Sequence, residues 1–582
     1  MSSTGSSSSH SPSKARKRTN KQLKSALKKP TNSSIPTESD KPSSRTFSLW
    51  NIWVASTLLK TLLFPTYHST DLEVHRNWLA ITSTLPISKW YIENTSIWTL
   101  DYPPLFAYFE WLLTWFIPGD VVQDGILQIV KEGQGTYGLK TIVFLRITVI
   151  ISEILLFVVM QWFVNIQAGV RRKTFAFIVA SSVVLSPGLL IVDHIHFQYN
   201  GMLFGLMMLM IVFVQLDQSY WLALTFSVLL CFKHINLYLA PAVFVYLLRR
   251  ECLDWESLKT GRVSRAVRWV NLFKLGAIVV VVFGLSFAPF IYHGVIPNVI
   301  SRLFPFSRGL THAYWAPNVW AIYSFNDKVL TSVLKVSHIN KLASKFLIYI
   351  PSVENIVERL ANGANNGTKG LVQDVQFTIL PDITPRVCFL LTLFYDILSV
   401  VPLIVQPNFK RFVGALTLNA YASFLFGWHV HEKAIMLIIF PFTFLVNERR
   451  ILKCFMVLVG AGYVSLFPLL PGQNLLKWLY TFIWFIIYFV SFMEVSKTHA
   501  DSFSVRVFLF DRVALIYLIG LIPMVLMVFF MDVFKEKFEV LQKFEFVGLM
   551  IYSVYCATGV ISSWVGLSWL YFFDDSIWEE EK

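Results

Sequence analysis

The chain has 582 residues, of which 55% are hydrophobic and only 15% are charged, and its mean hydropathy is +0.56. Soluble domains carry roughly 25% charged residues, so this composition excludes an ordinary soluble protein. Apolar runs of about 20 residues recur along most of the chain without alternating, which is typical of membrane-spanning helices and argues against a β-barrel. We therefore predict an all-α polytopic membrane protein.

Residues 1–46 contribute +8 of the net charge of +14, because they hold ten Lys and Arg against two acidic residues. This segment is also rich in Ser, Thr and Pro, so it is predicted to be a disordered basic tail. A nucleic-acid-binding patch is one interpretation of the charge. The positive-inside rule favours a cytoplasmic tail, and we expect no nucleic-acid partner.

Residues 47–582 are predicted to form one transmembrane domain with about fourteen spans. The apolar segments lie at 47–66, 141–163, 174–192, 201–216, 219–231, 235–248, 268–291, 386–405, 412–427, 434–447, 454–470, 475–492, 508–530 and 546–572. When the basic tail is cytoplasmic and the spans alternate, tight basic clusters such as Arg171-Arg172-Lys173 and Arg449-Arg450 also fall in the cytoplasm. The even number of spans brings the C-terminus to the same side.

Two further regions, Leu105 to Pro118 and 292–385, are partly apolar but are not predicted to cross the membrane. Leu105 to Pro118 is apolar and aromatic, but a crossing there would invert the basic clusters that follow, so we predict a helix lying in the membrane interface. Region 292–385 is mixed in polarity and is predicted to be one long outside loop, with a re-entrant pair of helices as the alternative. The other large outside loop covers 67–140. Glycosylation sequons at Asn94 and Asn366 fall in these two loops.

The outside loops share an unusual density of ionisable, amide and aromatic side chains. The candidate site residues are Asp71, Glu73, His75, Arg76, Asp101, Tyr102, His194, His196, Gln198, Lys233, His234, Arg302, Arg308, His312, Trp315, His429, His431 and Glu432. Ionisable groups at a membrane boundary are costly, so their convergence on one side predicts a shared cavity. The alternative is that interfacial loops are polar and aromatic by nature, which explains Trp and Tyr better than it explains the paired histidines.

Some of these residues could ligate a metal. His194 with His196, and His429 with His431, have ligand spacing, and Asp71-x-Glu73 resembles a short acidic metal motif. In a helix, however, positions two apart point to different faces, whereas Asp71 and His75 would share one. We therefore predict no metal and no cofactor.

Several long strings resemble one family, the endoplasmic-reticulum α-1,3-glucosyltransferases that use dolichyl-phosphate glucose. The strings are His68-Ser-Thr-Asp71 through Trp78, Leu100-Asp-Tyr-Pro-Pro104, His196-Phe-Gln-Tyr-Asn200 and Arg302 to Gly309. The resemblance runs from about residue 47 to the last span. It implies a GT-C fold with the active site in the lumen, Asp71 as catalytic base, a β-linked glucosyl phosphate donor and inversion to an α-1,3 product, without a metal.

The family has two close branches, which add the first and the second glucose to a lipid-linked oligosaccharide. The first-glucose branch is expected to show Glu-Ala-Gln-Arg-His-Trp where this chain has Glu73-Val-His-Arg-Asn-Trp78. The strings His312 to Asn318 and Trp428 to Lys433 also resemble the second-glucose branch. The partners implied are dolichyl-phosphate glucose, a monoglucosylated dolichyl-diphosphate oligosaccharide and membrane lipid.

This chemistry gives the candidate residues their roles. A carboxylate must take the proton of the acceptor hydroxyl, and we assign Asp71, whose basicity partial desolvation is expected to raise. Cationic or N–H donors must hold the departing phosphate, and the candidates are His194, His196, Gln198, Lys233, His234, Arg302 and Arg308. Asp101 is a candidate sugar contact, or alternatively a capping or turn residue before Pro103. The remaining candidates are assigned to substrate binding.

Three other functions compete with this one. The first is first-glucose transfer within the same family. The second is a multispan transporter or flippase, which predicts charges near mid-membrane and inverted repeats, neither of which is evident. The third is a non-catalytic subunit, which leaves Asp71 without a role.

Overall fold

The computed structural model describes residues 47–131, 135–261, 266–304, 309–311, 315–335, 377–470, 478–479, 481–483, 485–486, 508–543 and 546–579. Across these ranges the chain is helical, and its β-structure is limited to two isolated bridges, Leu253 with Val267 and Thr311 with Val430. The predicted all-α class is therefore confirmed. The predicted tail, residues 1–46, lies outside the described residues.

The α-helices are Trp50–Thr61, Thr70–Thr84, Pro104–Thr114, Gly119–Gln123, Leu139–Ser152, Ile154–Asn165, Val170–Val184, Pro187–Leu189, Asn200–Gln215, Ser219–Phe232, Ala240–Leu247, Trp255–Lys259, Trp269–Tyr292, Ile296–Leu303, Val319–Lys335, Pro385–Val405, Phe409–Phe426, Met436–Phe442, Arg449–Val464, Phe508–Phe534, Glu539–Lys543 and Val547–Phe573. Two π-helices, Leu190–Phe197 and Leu248–Cys252, extend the helices before them. Short 3₁₀ turns are Ile87–Lys89, His234–Leu239, Glu432–Ile435, Thr443–Leu445, Phe467–Leu469 and Asp575–Ile577.

Seven helices in the described ranges are long and apolar enough to cross a membrane. They are Leu139–Asn165, Val170–Phe197, Trp269–Tyr292, Pro385–Val405, Arg449–Leu469, Arg512–Phe534 and Val547–Phe573. Each coincides with one of the predicted spans, so the membrane-embedded character of the chain is confirmed.

Of the other predicted spans, 475–492 lies largely outside the described residues, and the rest are shorter or broken. The helix within 47–66 has only 12 residues, and Asn200–Gln215 and Ser219–Phe232 are short apolar helices. The segments 235–248 and 434–447 begin as 3₁₀ turns and contain Pro241 and Pro441, which remove backbone donors. The total of about fourteen spans stays a prediction.

Contacts between turns sort the molecule into two ends. At one end, Arg250 pairs with Asp217 at 2.7 Å and Arg450 pairs with Asp574 at 2.5 Å. Arg411 donates to the backbone oxygen of Tyr571 at 2.5 Å. Apart from Tyr571, which lies at the end of the last span, these residues belong to turns, or to the C-terminus, that the sequence predicts to be cytoplasmic. The predicted outside loops meet at the opposite end.

The predicted interfacial helix is Pro104–Thr114, whose 11 residues span about 16 Å and cannot cross the ~30 Å hydrocarbon layer. It buries Phe106 and Glu110, and it exposes Trp111 and Leu112 on its outer face. In region 292–385 the described residues form two helices, Ile296–Leu303 and Val319–Lys335, neither of which is long and apolar enough to cross.

Candidate functional site

The first predicted outside loop, 67–140, contains the helix Thr70–Thr84 near its beginning. Ser69 is the N-cap of Thr70–Thr84: its hydroxyl accepts from the backbone N–H of Asp71 at 3.1 Å. The same hydroxyl donates to the backbone oxygen of His196, which ties this helix to the second loop. Asp71 therefore sits in the first helical turn, where the helix dipole favours a carboxylate.

The second loop is shaped by the π-helix Leu190–Phe197 and by a positive φ of 89° at Phe197. π-helical turns and left-handed non-glycine residues are uncommon and cluster at functional sites. Asp193 fixes the turn that follows, because its carboxylate accepts from the side-chain amide of Asn200 at 2.9 Å and from the backbone N–H of Gly201 at 2.6 Å. This turn presents Gln198 to the first loop.

Three side chains converge on one oxygen of the Asp71 carboxylate. Lys433 Nζ lies 2.5 Å from Oδ2, Gln198 Nε2 lies 2.8 Å from it, and His196 Nε2 lies 3.3 Å from it. Within the described part of the chain, Oδ1 accepts no hydrogen bond, and Asp71 is partly exposed to a cavity. One oxygen is held by protein groups, and the other is left available to a ligand in the cavity.

The charge balance at Asp71 corrects one expectation. Burial alone would raise the pKa of Asp71, but the charges of Lys433 and His196, with the hydrogen bonds from Lys433 and Gln198, outweigh it. The pKa of Asp71 therefore lies below its ordinary value, and the expected gain in basicity is wrong for this state of the molecule. The carboxylate is ionised throughout the physiological pH range.

Asp71 opens onto a cavity of about 480 Å³, within the usual size range of small-molecule sites. Its lining brings together nine of the predicted site residues from all parts of the sequence. They are Asp71, His75, Asp101, Tyr102, Gln198, Lys233, His234, Arg302 and His431. Asp71 and His75 lie on one face of their helix, as predicted. Asp101 does not cap the following helix, because Pro103 occupies the N-cap position.

The cavity wall carries positive charge. Lys233 Nζ lies 5.0 Å from the ring centroid of Tyr102 and donates to Asn200 Oδ1 at 2.9 Å. Burial lowers the pKa of Lys233 to about 8, against the opposing charge of Asp193. Among the described residues, Arg302 makes only long contacts of 3.4 Å, to the backbone oxygens of Tyr91 and Glu93, so its guanidinium keeps donor capacity for a ligand.

Glu73 and Arg76, predicted to bind substrate, lie away from the cavity. They form a fully buried pair at 2.6 Å, and Arg76 also donates to the backbone oxygens of Ile126 and Gln128. Because this pair satisfies its own charges and anchors the loop after it, its placement corrects the predicted substrate contact to a structural one.

His194, predicted to hold phosphate, is also buried away from the cavity. Its Nε2 lies 2.9 Å from Glu153, which pairs with Lys60 at 2.7 Å. This buried cluster joins the first helix to the span Leu139–Asn165 and to the π-helix. Its placement therefore corrects His194 from a phosphate contact to an anchor of the loop that carries His196.

The remaining candidates lie beside the site or beyond the described residues. His429 Nδ1 lies 2.8 Å from the backbone oxygen of Gly309. The backbone of His429 has a positive φ of 55°. Lys328 Nζ lies over the Trp315 ring, 4.6 Å from its centroid. Neither His429 nor Trp315 lines the cavity. Glu432 is fully buried outside the lining, and burial raises its pKa to about 7, helped by the charge of Asp71 and opposed by Lys433. Arg308 and His312 lie outside the described residues.

Several side chains of this site are not among the candidates predicted from the sequence. Lys433 contacts Asp71, and Trp98 and Asn200 line the cavity. Lys433 stands at the end of the string Trp428 to Lys433, but the 3₁₀ turn Glu432–Ile435 decides which neighbour turns inward. Trp98 is held by Asn77, whose side-chain amide donates to its backbone oxygen at 2.8 Å.

Among the residues that the structure describes, no group of three or more His, Cys, Asp or Glu side chains is arranged to hold a metal ion. His194, His196 and His429 contact Glu153, Asp71 and the backbone oxygen of Gly309, respectively.

The helical spans and the charged cavity at one end of them define a polytopic membrane protein with an enzyme-like site. The family model described as "ALG6, ALG8 glycosyltransferase family" matches residues 56–567. The chain belongs to this family of glycosyltransferases.

Three curated relatives are similar over almost their whole length, and each is named dolichyl pyrophosphate Glc1Man9GlcNAc2 alpha-1,3-glucosyltransferase. The protein from Kluyveromyces lactis is 56% identical over 94% of this chain and 97% of its own. The protein from Saccharomyces cerevisiae is 54% identical over 92% of this chain and 93% of its own. The protein from Gibberella zeae is 44% identical over 88% of this chain and 96% of its own.

Proposed function

We propose that the chain transfers glucose from dolichyl-phosphate glucose to a dolichyl-diphosphate oligosaccharide that already carries one glucose, and forms an α-1,3 linkage. The observation that carries the proposal is Asp71, a carboxylate with one oxygen open to a cavity whose wall bears Lys233 and Arg302. The names of the relatives support the acceptor and the linkage. The cationic side chains of the wall, which suit a departing phosphate, support the donor.

We further propose a GT-C architecture of about fourteen spans in the endoplasmic-reticulum membrane. Both termini are cytoplasmic in this proposal, and the cavity opens to the lumen. The meeting of the basic turns at the end opposite the cavity supports this orientation, because basic clusters favour the cytoplasmic side.

The reaction is a single displacement. The acceptor hydroxyl oxygen attacks the anomeric carbon, and the bond from that carbon to the phosphate oxygen breaks. Dolichyl phosphate leaves with the electron pair, and the hydroxyl proton passes to Oδ1 of Asp71. Attack from the face opposite the leaving group converts the β-linked donor into an α-linked product.

The cavity residues divide this work. Gln198, His196 and Lys433 hold Oδ2, so Oδ1 is directed at the hydroxyl. Lys233 and Arg302 stabilise the charge that develops on the departing phosphate, and the partial burial of the wall strengthens this effect. Because cationic side chains supply the positive charge, the proposed mechanism uses no metal ion and no cofactor.

A cell that lacks the protein tests the proposal. We expect the monoglucosylated lipid-linked oligosaccharide to accumulate, measured by chromatography of the released glycans. Accumulation of the species without glucose would instead assign the chain to first-glucose transfer. An unchanged glycan profile would favour the transporter or subunit hypotheses.

A further inference from the structure

Glu110 is a buried carboxylate on a helix whose outer face is apolar. The helix Pro104–Thr114 exposes Trp111 and Leu112, and the exposed Trp115 and Phe116 follow it, whereas Glu110 is 0% exposed. Burying a carboxylate near a membrane costs several kcal/mol unless a partner compensates. The charge on this helix therefore serves a contact in the interior of the protein.

The partner of Glu110 is His75. Glu110 Oε1 lies 2.9 Å from His75 Nδ1, and both side chains are buried. The second oxygen, Oε2, is buried without a hydrogen-bond partner among the described residues. Burial raises the pKa of Glu110, and the contact with His75 opposes that rise. The contact with His75 thus offsets part of the cost of burying Glu110, and it fixes the orientation of both side chains.

Aromatic rings hold the imidazole of His75 in place. Five ring centroids lie between 4.9 and 6.4 Å from that of His75, and they belong to Trp78, Tyr102, Phe106, Phe197 and Tyr199. A carboxylate that accepts from one ring nitrogen fixes the tautomer of a histidine and the direction of its other nitrogen. With Nδ1–H donated to Glu110, Nε2 is a hydrogen-bond acceptor.

His75 lines the cavity about one helical turn after Asp71, roughly 6 Å along the helix axis. The indole N–H of Trp98 is a second polar group at this part of the cavity. Trp98 lines the cavity, and its indole N–H is buried without a hydrogen-bond partner within the described ranges. His75 offers an acceptor, Trp98 offers a donor, and Trp78 and Tyr102 add aromatic surface. This combination suits the hydroxyls and the apolar face of a hexose.

We propose that His75, positioned by Glu110, and Trp98 form the subsite for the terminal hexose of the acceptor, and that they determine acceptor specificity. The sugar whose hydroxyl gives its proton to Asp71 must lie within reach of the helical turn that follows. Glu110 touches no substrate and acts through His75, so it is a positioning residue. The inference rests on the proposed function, because it names the acceptor side of the same cavity.

The test measures KM for acceptor and donor separately in the full-length purified protein. The acceptor is the lipid-linked oligosaccharide with one glucose, and the donor is dolichyl-phosphate glucose. We expect His75→Phe, which keeps an aromatic ring but removes both nitrogens, to raise the acceptor KM roughly tenfold or more and to leave the donor KM unchanged. Glu110→Gln should also raise the acceptor KM.

A double variant separates positioning from a merely structural role. Because Glu110 acts through His75, the combined variant should raise the acceptor KM no further than His75→Phe alone. Trp98→Phe, which removes the N–H together with part of the ring surface, should raise it independently by several-fold. Effects of Glu110→Gln and His75→Phe that multiply in the double variant would overturn the positioning role.

A matched control addresses folding. Asp327 is another buried carboxylate of the outside loops, which accepts from the backbone N–H groups of Thr378, Ile379 and Leu380 and does not line the cavity. Asp327→Asn should lower the melting temperature and leave the acceptor KM unchanged. If Glu110→Gln does not fold, Trp98→Phe and His75→Phe still decide the subsite.

The outcomes separate the subsite from the function. An unchanged acceptor KM in His75→Phe and Trp98→Phe, or a rise in the donor KM instead, would overturn the subsite while the wild-type transfer still stands. Failure of the wild-type protein to glucosylate this acceptor would overturn the proposed function itself.

Discussion

Replacing Asp71 by Asn removes the proposed base with little change in side-chain shape. In the structure Oδ2 is held by Gln198, His196 and Lys433, while Oδ1 faces the cavity. An amide can still accept from Lys433 through its oxygen, but it then turns its NH₂ group to the substrate hydroxyl. The variant keeps the local packing and loses the proton acceptor.

The size of the loss follows from the role. A positioned general base contributes typically about 10²–10⁴-fold in rate, equivalent to about 3–5 kcal/mol of transition-state stabilisation. We therefore expect Asp71→Asn to fold, to bind donor, and to lose at least about a hundredfold in the single-turnover rate of glucose transfer. The assay mixes enzyme in excess with labelled dolichyl-phosphate glucose and follows label in the acceptor.

Asp101→Asn is the matched comparison, because Asp101 lines the same cavity. It should retain more activity than Asp71→Asn if it only positions substrate. Melting temperatures of both variants check that each one folds. Near-normal turnover by Asp71→Asn beside an inactive Asp101→Asn would refute the reasoning and make Asp101 the base.

Two further predictions concern pH and topology. In Lys433→Gln, the charge that holds the pKa of Asp71 down is lost and burial then raises that pKa; the acidic limb of the kcat/KM–pH profile should therefore move to higher pH, and an unmoved limb would mean that Asp71 does not control it. Asn366, and Asn94 where the oligosaccharyltransferase can reach it, should carry glycans that endoglycosidase removes, because the basic turns orient both loops to the lumen. A glycan on Asn32 would reverse the orientation.

The sequence predicts the helical membrane class and much of the site for clear reasons. Continuous apolar runs and basic clusters identify the spans and sort the loops to two sides. The i, i+4 spacing of Asp71 and His75 in a helix puts both on one face, and the structure agrees. Lys233 and Arg302 are recognisable because a charge at a membrane edge is costly without a role.

Other features depend on contacts that the sequence does not contain. Glu73 and Arg76 look like site residues, but at i, i+3 spacing they pair with each other. Glu110 lies inside an aromatic run, and only the packed helix shows that it faces inward. The outer face of that helix is apolar as well as the inner one, so the pattern of a soluble amphipathic helix is absent and does not mark the buried face.

The different positions of the neighbours Glu432 and Lys433 could not be predicted from the sequence either. The helical period fails across the 3₁₀ turn Glu432–Ile435, so spacing could not tell that Lys433 reaches Asp71 while Glu432 is buried behind it. The low pKa of Asp71 follows from that contact, and it could not be derived from the burial of Asp71 alone.

Acceptor choice tests the central claim most directly. Purified protein is given dolichyl-phosphate glucose and, in separate reactions, the lipid-linked oligosaccharide with no glucose and with one glucose. We predict that one glucose is added to the monoglucosylated acceptor in an α-1,3 linkage, with far slower transfer to the other acceptor. Preferred transfer to the acceptor without glucose, or no transfer to either, would contradict the claim.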